Sequence, residues 1–583
     1  MTETLTDQFV EVASLADLRA AGRLVVHAGG HTLALFVDGE DVRAVDNRCP
    51  HMGFPLHRAS LADGILTCHW HHARFDLCSG GTFDQWAGDL RTFPVELRNG
   101  SVFVDVSPPA DPAARERRRL RVGLERNIAL VVAKATIALL EADPTGVEPF
   151  RSGLDFGVER RGEGWFRGLT TLSCLMNLVP RLDDVDRDLA LYHGLADVAS
   201  DSADGPPRFP LAPLPSDEVE PDRLATWFRR FVEVRDAEGA ERALVSAVRA
   251  GASPAALADM LFAAATDHRY LDDGHTLDFV NKALEALDVA GWERAERVLA
   301  SLPTQLAFAE RREEANAWRH PIDLVALVED AFERLPDALA AGVALRGSWE
   351  GRRALVETVL ADDPAAAVEA LLAALREGAT EVELASAVAF AAVTRIARFH
   401  TSNEFGDWDT ALHTFTFANA VEQGLRRSPS PELLRGVFDA AMSVHLDRFL
   451  NVPPARLPRA APHGDPGALL GDLPALLDRQ QQVDEAAVLV AGFLAAGGEP
   501  DRLVAALGAG LLREDRNFHT IQCVEAAARQ HELLRGTDDA ALPLVAAARY
   551  FAAHATTPRS QLQTFEIARR LHRGERLYED AAG

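Results

Sequence analysis

The sequence predicts a multidomain protein, with a small all-β module followed by a large all-α domain that contains internal helical repeats. From Phe9 to about Val106, short apolar runs alternate with Gly-Gly, Asp-Gly and Asn-Gly turn signals, which are typical of antiparallel strands. Beyond that point Ala, Leu, Val and Arg recur at three- and four-residue spacing, which is typical of helices. We therefore expect the β module at residues 1–107 and the all-α domain at residues 108–583, because 583 residues are too many for one core.

The charge and the apolar pattern exclude several classes of partner. The formal net charge is −27, so nucleic acid and anionic membrane surfaces would repel the chain. The first residues, MTETLTDQFVEVASLADL, lack the basic start and the apolar run of a secretory signal. No segment reaches the roughly 18 uncharged apolar residues of a membrane span. We expect a soluble, cytoplasmic protein.

Cysteine and lysine usage is sparse. Five cysteines are too few for a disulfide framework in a chain of this size. Two of them belong to a motif described below, and we expect Cys78, Cys174 and Cys523 to be small core residues in a reducing compartment. Lysine occurs only at Lys134 and Lys282, and we attribute this to compositional bias without a mechanism.

The β module is built from the runs RLVVHA, HTLALFVD, DVRAVD and SVFVDV. Two short Cys/His clips lie in the loops between such strands. The first is Cys49-Pro50-His51, and the second contains Cys68 and His71. Two thiolates and two neutral imidazoles can bind zinc, or they can hold a [2Fe–2S] cluster with the cysteines on one iron and the histidines on the other.

The residues around the clips point to the second possibility. The segments CPHMGFPL and CHWHHARFDLCSGG resemble the two cluster-binding loops of Rieske iron–sulfur proteins, and the resemblance covers about residues 8 to 106. It implies a [2Fe–2S] cluster held by Cys49, His51, Cys68 and His71. The spacing selects His71 as the ligand, so we interpret the nearby residues as surface or supporting groups: His57, His69 and His72.

Four positions distinguish this module from the high-potential Rieske proteins of respiratory complexes. Those proteins carry a disulfide between the two loops. At the corresponding positions this chain has Phe54 and Trp70. They also place Ser and Tyr hydroxyls near the cluster, where this chain has Ala73 and Phe75. Without these donors, we expect a potential near the bottom of the roughly −150 to +300 mV Rieske range. The module then resembles Rieske ferredoxins and the Rieske domains of bacterial oxygenases.

The composition changes after Val106. The segment SPPADPAARERRRLR indicates a Pro/Ala linker that leads into a helix, with a domain boundary near residues 107–115. Proline-rich breaks at residues 205–221 and 452–466 indicate surface loops. The catalytic domain of Rieske oxygenases contains a large sheet and an iron site of two His and one carboxylate. No motif of that kind stands out here, so ring hydroxylation is not implied.

A repeated phrase occurs inside the helical part. His275, His413 and His519 each open a sequence of the form H-T-x-x-(F/C)-(V/A)-(N/E), and each follows an apolar helix that begins after a Gly. Tyr192-His193 opens a looser fourth copy. Similar units around a shared axis would bring these histidines together. Ser253 with Pro254, and Thr380 with Glu383, have the spacing of helix caps.

Three interpretations of the repeat remain open. The histidines can stabilise helix–helix contacts left by an old duplication, or the similarity can be chance among Ala-rich helices. Alternatively His193, His275, His413 and His519, with His268 or His400, form a second iron site or line a catalytic pocket. A one-electron carrier fused to a large domain needs an electron acceptor, which favours this last hypothesis. Asp409 and His413 lie four residues apart and could share a helical face.

These observations predict an oxidoreductase of the oxygenase or oxidase type. Its Rieske [2Fe–2S] cluster would pass single electrons to a His-lined, iron-containing, oxygen-activating site in the helical domain. No nucleotide or flavin motif is evident, so a separate reductase or ferredoxin would supply the electrons to oxidise an unknown small-molecule substrate. The alternative is an electron carrier or redox sensor whose helical domain is a docking module without its own catalytic centre.

Overall fold

The structure is a computed structural model, and it describes residues 9–107, 111–203, 205–215, 219–458 and 464–577. Parts of the predicted linker and of the two predicted proline-rich loops lie outside these residues, as do the first eight residues. Within the described part, ten β-strands are followed by a long helical region, which confirms the predicted fold class. No described strand follows Asp105.

The strands form three small antiparallel sheets. Their spatial orders are β1-β10-β9, β2-β3-β4-β8 and β5-β6-β7. In chain order the strands are β1 Phe9–Ser14, β2 Arg23–Ala28, β3 His31–Asp38, β4 Asp41–Asp46, β5 Ser60–Ala62, β6 Ile65–Thr67, β7 Arg74–Asp76, β8 Thr92–Phe93, β9 Val95–Arg98 and β10 Ser101–Asp105.

One α-helix lies within the described β module, and the strand pattern did not predict it. Helix α1 (Leu15–Ala21) begins where the Ser14 side chain accepts a hydrogen bond from the backbone N–H of Asp17. It ends at Gly22, whose φ of 73° lies in the left-handed region. Both signals are present in the sequence but are short enough to be hidden among strands.

The first helices after the β module vary in length, from 4 residues in α13 to 19 in α14. They are α2 Pro112–Glu125, α3 Ala129–Ala142, α4 Val147–Arg160, α5 Arg167–Leu178, α6 Asp184–Asp201, α7 Pro221–Glu233, α8 Ala237–Arg249, α9 Pro254–Ala265, α10 His275–Ala290, α11 Ala295–Leu299, α12 Pro303–Phe308, α13 Asn316–Arg319 and α14 Leu324–Gly342. The remaining helices are α15 Arg352–Leu360, α16 Pro364–Arg376, α17 Glu381–Ala397, α18 Asp407–Arg427, α19 Pro431–Leu446, α20 Pro466–Leu477, α21 Val483–Ala495, α22 Pro500–Arg513, α23 Phe518–Leu533, α24 Ala541–Ala553 and α25 Ser560–His572.

Two helix starts are those that the sequence predicted. Ser253 accepts from the backbone N–H of residue 256 at 3.2 Å, and Pro254 occupies the first turn of α9. Thr380 and Glu383 form a capping box at α17, since each side chain bonds to the other residue's backbone. These caps define the register of two helices that precede copies of the repeated phrase.

The chain divides into two compact units. One contains residues up to Ser152 together with residues from Gln561 onward, and the other is Gly153–Ser560. The first unit thus includes α2 and α3 as well as the β module. In the second unit α18 packs against α10 and α23, and α5 packs against the same two helices. No helix in the described ranges is long and apolar enough to cross a membrane.

Candidate functional site

The two Cys/His clips occupy loops of the same backbone form. Cys49 lies between β4 and β5, and its N–H donates to the carbonyl of Phe54 at 2.8 Å. Cys68 lies between β6 and β7, and its N–H donates to the carbonyl of residue 73 at 2.8 Å. Four residues after each cysteine the backbone is left-handed, at Gly53 (φ 78°) and His72 (φ 63°). His72 therefore serves the turn, at the place that glycine holds in the first loop.

The four side chains predicted as ligands come together at the tips of these loops. Cys49 and Cys68 are almost fully buried and hydrogen-bond to each other. This hydrogen bond and burial raise the pKa of Cys49, whereas the same hydrogen bond and backbone N–H groups lower the pKa of Cys68 to about 6. The rings of His51 and His71 lie 4.7 Å apart, and His71 is exposed.

This donor set fits a [2Fe–2S] cluster. Two adjacent thiols, one with a lowered pKa, can supply the thiolates that iron requires. Burial lowers the pKa of His51 to about 4, so its imidazole is neutral at neutral pH. Its Nδ1 is buried and has no hydrogen-bond partner among the described residues, which leaves a lone pair free for a metal.

The four positions that distinguish this module in sequence lie in and beneath the ligand loops. The rings of Phe54 and Trp70 lie 6.0 Å apart, and Ala73 and Phe75 are fully buried in the core beneath the loops. No hydroxyl is therefore supplied by these positions. Of the other nearby histidines, the backbone N–H of His57 donates to Oδ1 of Asn47 at 2.8 Å, and His69 and His72 are exposed.

Sequence reasoning missed the role of Lys134. This residue of α3 is buried, and its Nζ donates to the carbonyl of Pro50 at 2.7 Å and to that of His51. Burial, which is the largest cause, and Arg119 lower its pKa to about 7. A helix outside the β module thus fixes the first ligand loop through one ammonium group.

A second group of histidines occurs in the helical unit. One ring nitrogen from each of His275, His413 and His519 lies within 4.8 Å of the others. His275 begins α10, His413 lies in α18 and His519 is the second residue of α23. The Nε2 atoms of His413 and His519 are 3.1 Å apart, and the ring centroids of His275 and His413 are 4.3 Å apart. We call these three residues the histidine triad.

The triad has the properties of a metal-binding group. Burial is the main cause that lowers the pKa of His275 to about 4 and that of His413 to about 3, so both rings are neutral. The Nδ1 of His275 is buried without a hydrogen-bond partner among the described residues. A group of three imidazole nitrogens suits zinc, copper, iron or nickel.

A carboxylate contacts His519 at the ring nitrogen that does not face His413. Asp409 Oδ2 lies 3.4 Å from Nδ1 of His519, while the Nε2 of the same ring faces His413. Burial raises the pKa of Asp409, but the bonds from His519 and the Tyr550 hydroxyl outweigh it and lower the pKa to about 2. An ionised carboxylate on Nδ1 fixes the tautomer in which Nε2 can bind a metal.

Other histidines named in the sequence analysis lie apart from the triad. His193 is buried in α6, its pKa is lowered to about 4 mainly by burial, and it is not in the group that the structure brings together. His268 is held between Glu233 and Glu313 at 2.7 and 2.6 Å. His400 bonds to a serine two residues further on.

A charged network is also buried in the helical unit, on helices α10 and α23 of the triad and on α5. Lys282 Nζ donates to Glu285 at 3.0 Å and to Glu525 at 2.7 Å. Asn177 donates to the same two carboxylates at 2.7 and 3.0 Å. Arg529 lies 3.4 Å from both. No sequence motif predicted a role for Lys282.

Cysteines outside the ligand loops follow expectation in two cases of three. Cys174 and Cys523 are buried, and burial raises the pKa of both thiols. Cys78 is exposed, so its assignment to the core was wrong. It lies in the turn after β7, where its N–H donates to Asp76 at 3.1 Å.

Comparison with known proteins places the first unit. Residues 8–94 match the sequence model of the Rieske [2Fe-2S] domain. The ferredoxin component of the naphthalene 1,2-dioxygenase system from Pseudomonas putida is 31% identical over 105 residues, which are 18% of this chain and 100% of that protein. The oxygenase subunit of vanillate O-demethylase from a Pseudomonas species is 33% identical over 99 residues, 16% of this chain and 27% of that protein.

A solved structure is also similar to part of the chain. A chain in the complex of reduced oxygenase and oxidised ferredoxin of carbazole 1,9a-dioxygenase is 22% identical, with a TM-score of 0.17, and the match covers 18% of this chain and 100% of that one. The curated ferredoxin is matched over its whole length, and residues 8–94, which match the family model, contain all four proposed ligands. Through its N-terminal residues, the chain belongs to the Rieske [2Fe-2S] family.

Proposed function

We propose that this protein is a Rieske oxidoreductase whose cluster passes single electrons to a metal centre held by the histidine triad in the helical unit. Cys49, His51, Cys68 and His71 would hold the [2Fe–2S] cluster, which supplies one electron at a time. His275, His413 and His519 would hold an iron ion, which supplies a place for dioxygen to be activated. A reductase or ferredoxin would donate the electrons, and a small organic molecule would be oxidised.

The observation that carries this proposal is the convergence of three ring nitrogens within 4.8 Å. Convergence alone would also suit a helix–helix contact. Asp409 favours the metal, because a carboxylate on the far nitrogen of His519 is the usual partner of a metal-ligating histidine. The unpartnered Nδ1 of His275 adds a second reason, since a buried polar atom without a partner costs free energy in a purely structural role.

The need for an electron donor follows from the electron balance. A [2Fe–2S] cluster takes up and releases one electron, so an external one-electron donor has to reduce it. One relative is the ferredoxin component of the naphthalene 1,2-dioxygenase system and another is the oxygenase subunit of vanillate O-demethylase, which supports a separate protein as the electron donor. The docking-module alternative gives the converged histidines no task.

Metal analysis of three variants of the full chain tests the proposal. Replacing Cys49 and Cys68 together by Ser should remove the cluster but leave about one iron per chain. Replacing His413 and His519 together by Ala should leave only the two cluster irons. His193→Ala is the matched control, because it removes a buried histidine outside the triad, and it should keep all the iron. Complete loss of iron from the Cys variant, with wild-type iron in the double His variant, would overturn the proposal.

A further inference from the structure

A cavity of about 570 Å³ opens beside the histidine triad within the helical unit. His413 and Asp409 line one side of it, so the cavity reaches both a triad ring and the carboxylate that supports the triad. The volume lies within the usual range for sites that bind small organic molecules, roughly 300–1,000 Å³. A molecule in this cavity would lie next to the metal ion proposed at the triad.

The walls are mostly apolar and aromatic. Tyr270, Trp318, Pro321, Leu446 and Phe449 line the cavity, and the rings of Tyr270 and Trp318 lie 6.1 Å apart. Tyr270 and Trp318 are buried, whereas Phe449 is 63% exposed. Such walls bury the face of a ring or a short alkyl skeleton.

The charged groups at the cavity leave one acceptor without a partner. Arg312 is paired with Asp273, and Arg448 is paired with Asp362, so each guanidinium already has a carboxylate partner. Asp447 is only 5% exposed, and its Oδ2 has no hydrogen-bond partner among the described residues. A buried carboxyl oxygen with no donor is costly unless another molecule supplies one.

The position of Asp447 is fixed relative to the triad. Its carboxyl is hydrogen-bonded by Thr414, which directly follows His413 in α18. The Thr414 hydroxyl also lies 3.4 Å from the hydroxyl of Tyr270. A molecule anchored at Asp447 would therefore extend along the apolar walls next to the helix turn that carries His413.

We propose that this cavity is the substrate site of the triad, and that it takes a neutral or cationic, ring-sized organic molecule whose hydroxyl or amino group donates to Asp447. The role of the bound molecule as a substrate rests on the proposed function. The binding specificity is inferred from the residues that line the cavity and does not depend on that function. A carboxylate ligand is disfavoured because it brings Asp447 no donor and because Arg312 and Arg448 already have carboxylate partners. A ring without a donor leaves Asp447 unsatisfied.

Binding of three matched probes to the full, iron-loaded chain tests the specificity. The probes are para-fluorobenzyl alcohol, para-fluorotoluene and para-fluorobenzoate, and fluorine NMR gives the dissociation constant of each. The alcohol should bind roughly tenfold or more tightly than the toluene, since only the alcohol satisfies Asp447, and the benzoate should bind weakest. Equal binding of alcohol and toluene, or tightest binding of benzoate, would overturn the inference.

Two variants locate the binding. Asp447→Leu should abolish the preference for the alcohol over the toluene while the toluene still binds. Ala317→Trp adds bulk at an exposed position of the lining and should weaken both probes, and it removes no buried group. If both variants bind the alcohol as tightly as the wild type, the cavity is not the site.

The iron content of the same samples separates the two proposals. If the three probes bind in the expected order but the triad holds no iron, the proposed function is wrong and the cavity assignment stands. If the triad holds iron but the three probes do not bind in the expected order, the cavity assignment is wrong and the proposed function stands.

Discussion

Replacing Lys282 by Met should destabilise the helical unit strongly. The Lys282 side chain is 2% exposed, and its ammonium bridges Glu285 and Glu525, which are 8% and 3% exposed. Met has nearly the same length but no charge, so the substitution leaves two buried carboxylates facing each other. Breaking a buried ion pair from one side costs about 3–5 kcal/mol. Asn177 and Arg529 remain as partners, so we expect about 3 kcal/mol, near the lower end.

The pH dependence gives a second readout. Burial raises the pKa of Glu285, but Lys282 and then Arg529 outweigh it, and the result is a pKa lowered to about 2. A lowered folded-state pKa means that this carboxylate stabilises the fold above its ordinary pKa near 4.5, and that the stabilisation is lost as the pH falls toward 2. Without Lys282, burial dominates and the carboxylates favour protonation. The variant should therefore become more stable, relative to the wild type, as the pH is lowered from 8 to about 5.

Urea denaturation of the full chain, followed by far-UV circular dichroism, measures the effect. Arg249→Met is the matched control, because it also removes a cation from an ion pair, with Glu296, but its side chain is 57% exposed. The control should change the free energy of unfolding by less than about 1 kcal/mol. If Lys282→Met costs no more than Arg249→Met, the buried network does not stabilise the fold as argued.

Three further substitutions give separate tests. Asp409→Asn should weaken metal binding at the triad by roughly 10–100-fold, because the amide holds His519 less firmly; the measurement is a competitive chelator titration, and an unchanged affinity would refute the support role. Lys134→Met should lower the midpoint potential of the cluster, since a cation beside the first ligand loop is lost; a potentiometric titration with EPR detection would contradict this by showing no shift or a rise. Thr380→Ala should cost about 1 kcal/mol by opening the capping box with Glu383, whereas no loss in urea denaturation would mean that the box does not stabilise α17.

Much of the first unit could be predicted because its ligands and turns are local in sequence. The spacing of Cys49, His51, Cys68 and His71 selects the four side chains that the loops bring together. Strand alternation and turn dipeptides predict the β module. Helix α1 was not predicted because its seven residues are too few for a clear helical period.

The histidine triad could be predicted in part, because a repeated phrase places its residues at equivalent points of three helices. The structure brings His275, His413 and His519 together, while His193, from the loosest copy, lies elsewhere. The contacts of Asp409 with His519 and Tyr550 depend on how α18, α23 and α24 pack, which no local pattern contains.

The two lysines carry the clearest lesson from composition. Lys134 and Lys282 are the only lysines in a chain whose other cationic side chains are arginines and histidines, and both are buried. A compact ammonium can donate to two closely spaced oxygens in a buried site, as each lysine does here. The low lysine count was interpreted as compositional bias, whereas the structure gives both lysines buried hydrogen-bond partners.

The most direct test of the electron route is a reductive titration of the oxidised full chain, with the cluster followed by its visible and EPR spectra. If the triad holds a redox-active iron that the cluster reduces, the wild type should accept about two electrons per chain. The double variant His413→Ala, His519→Ala should accept about one while its cluster spectrum stays intact. Uptake of about one electron by both proteins would contradict the account, because the cluster would then be the only redox centre.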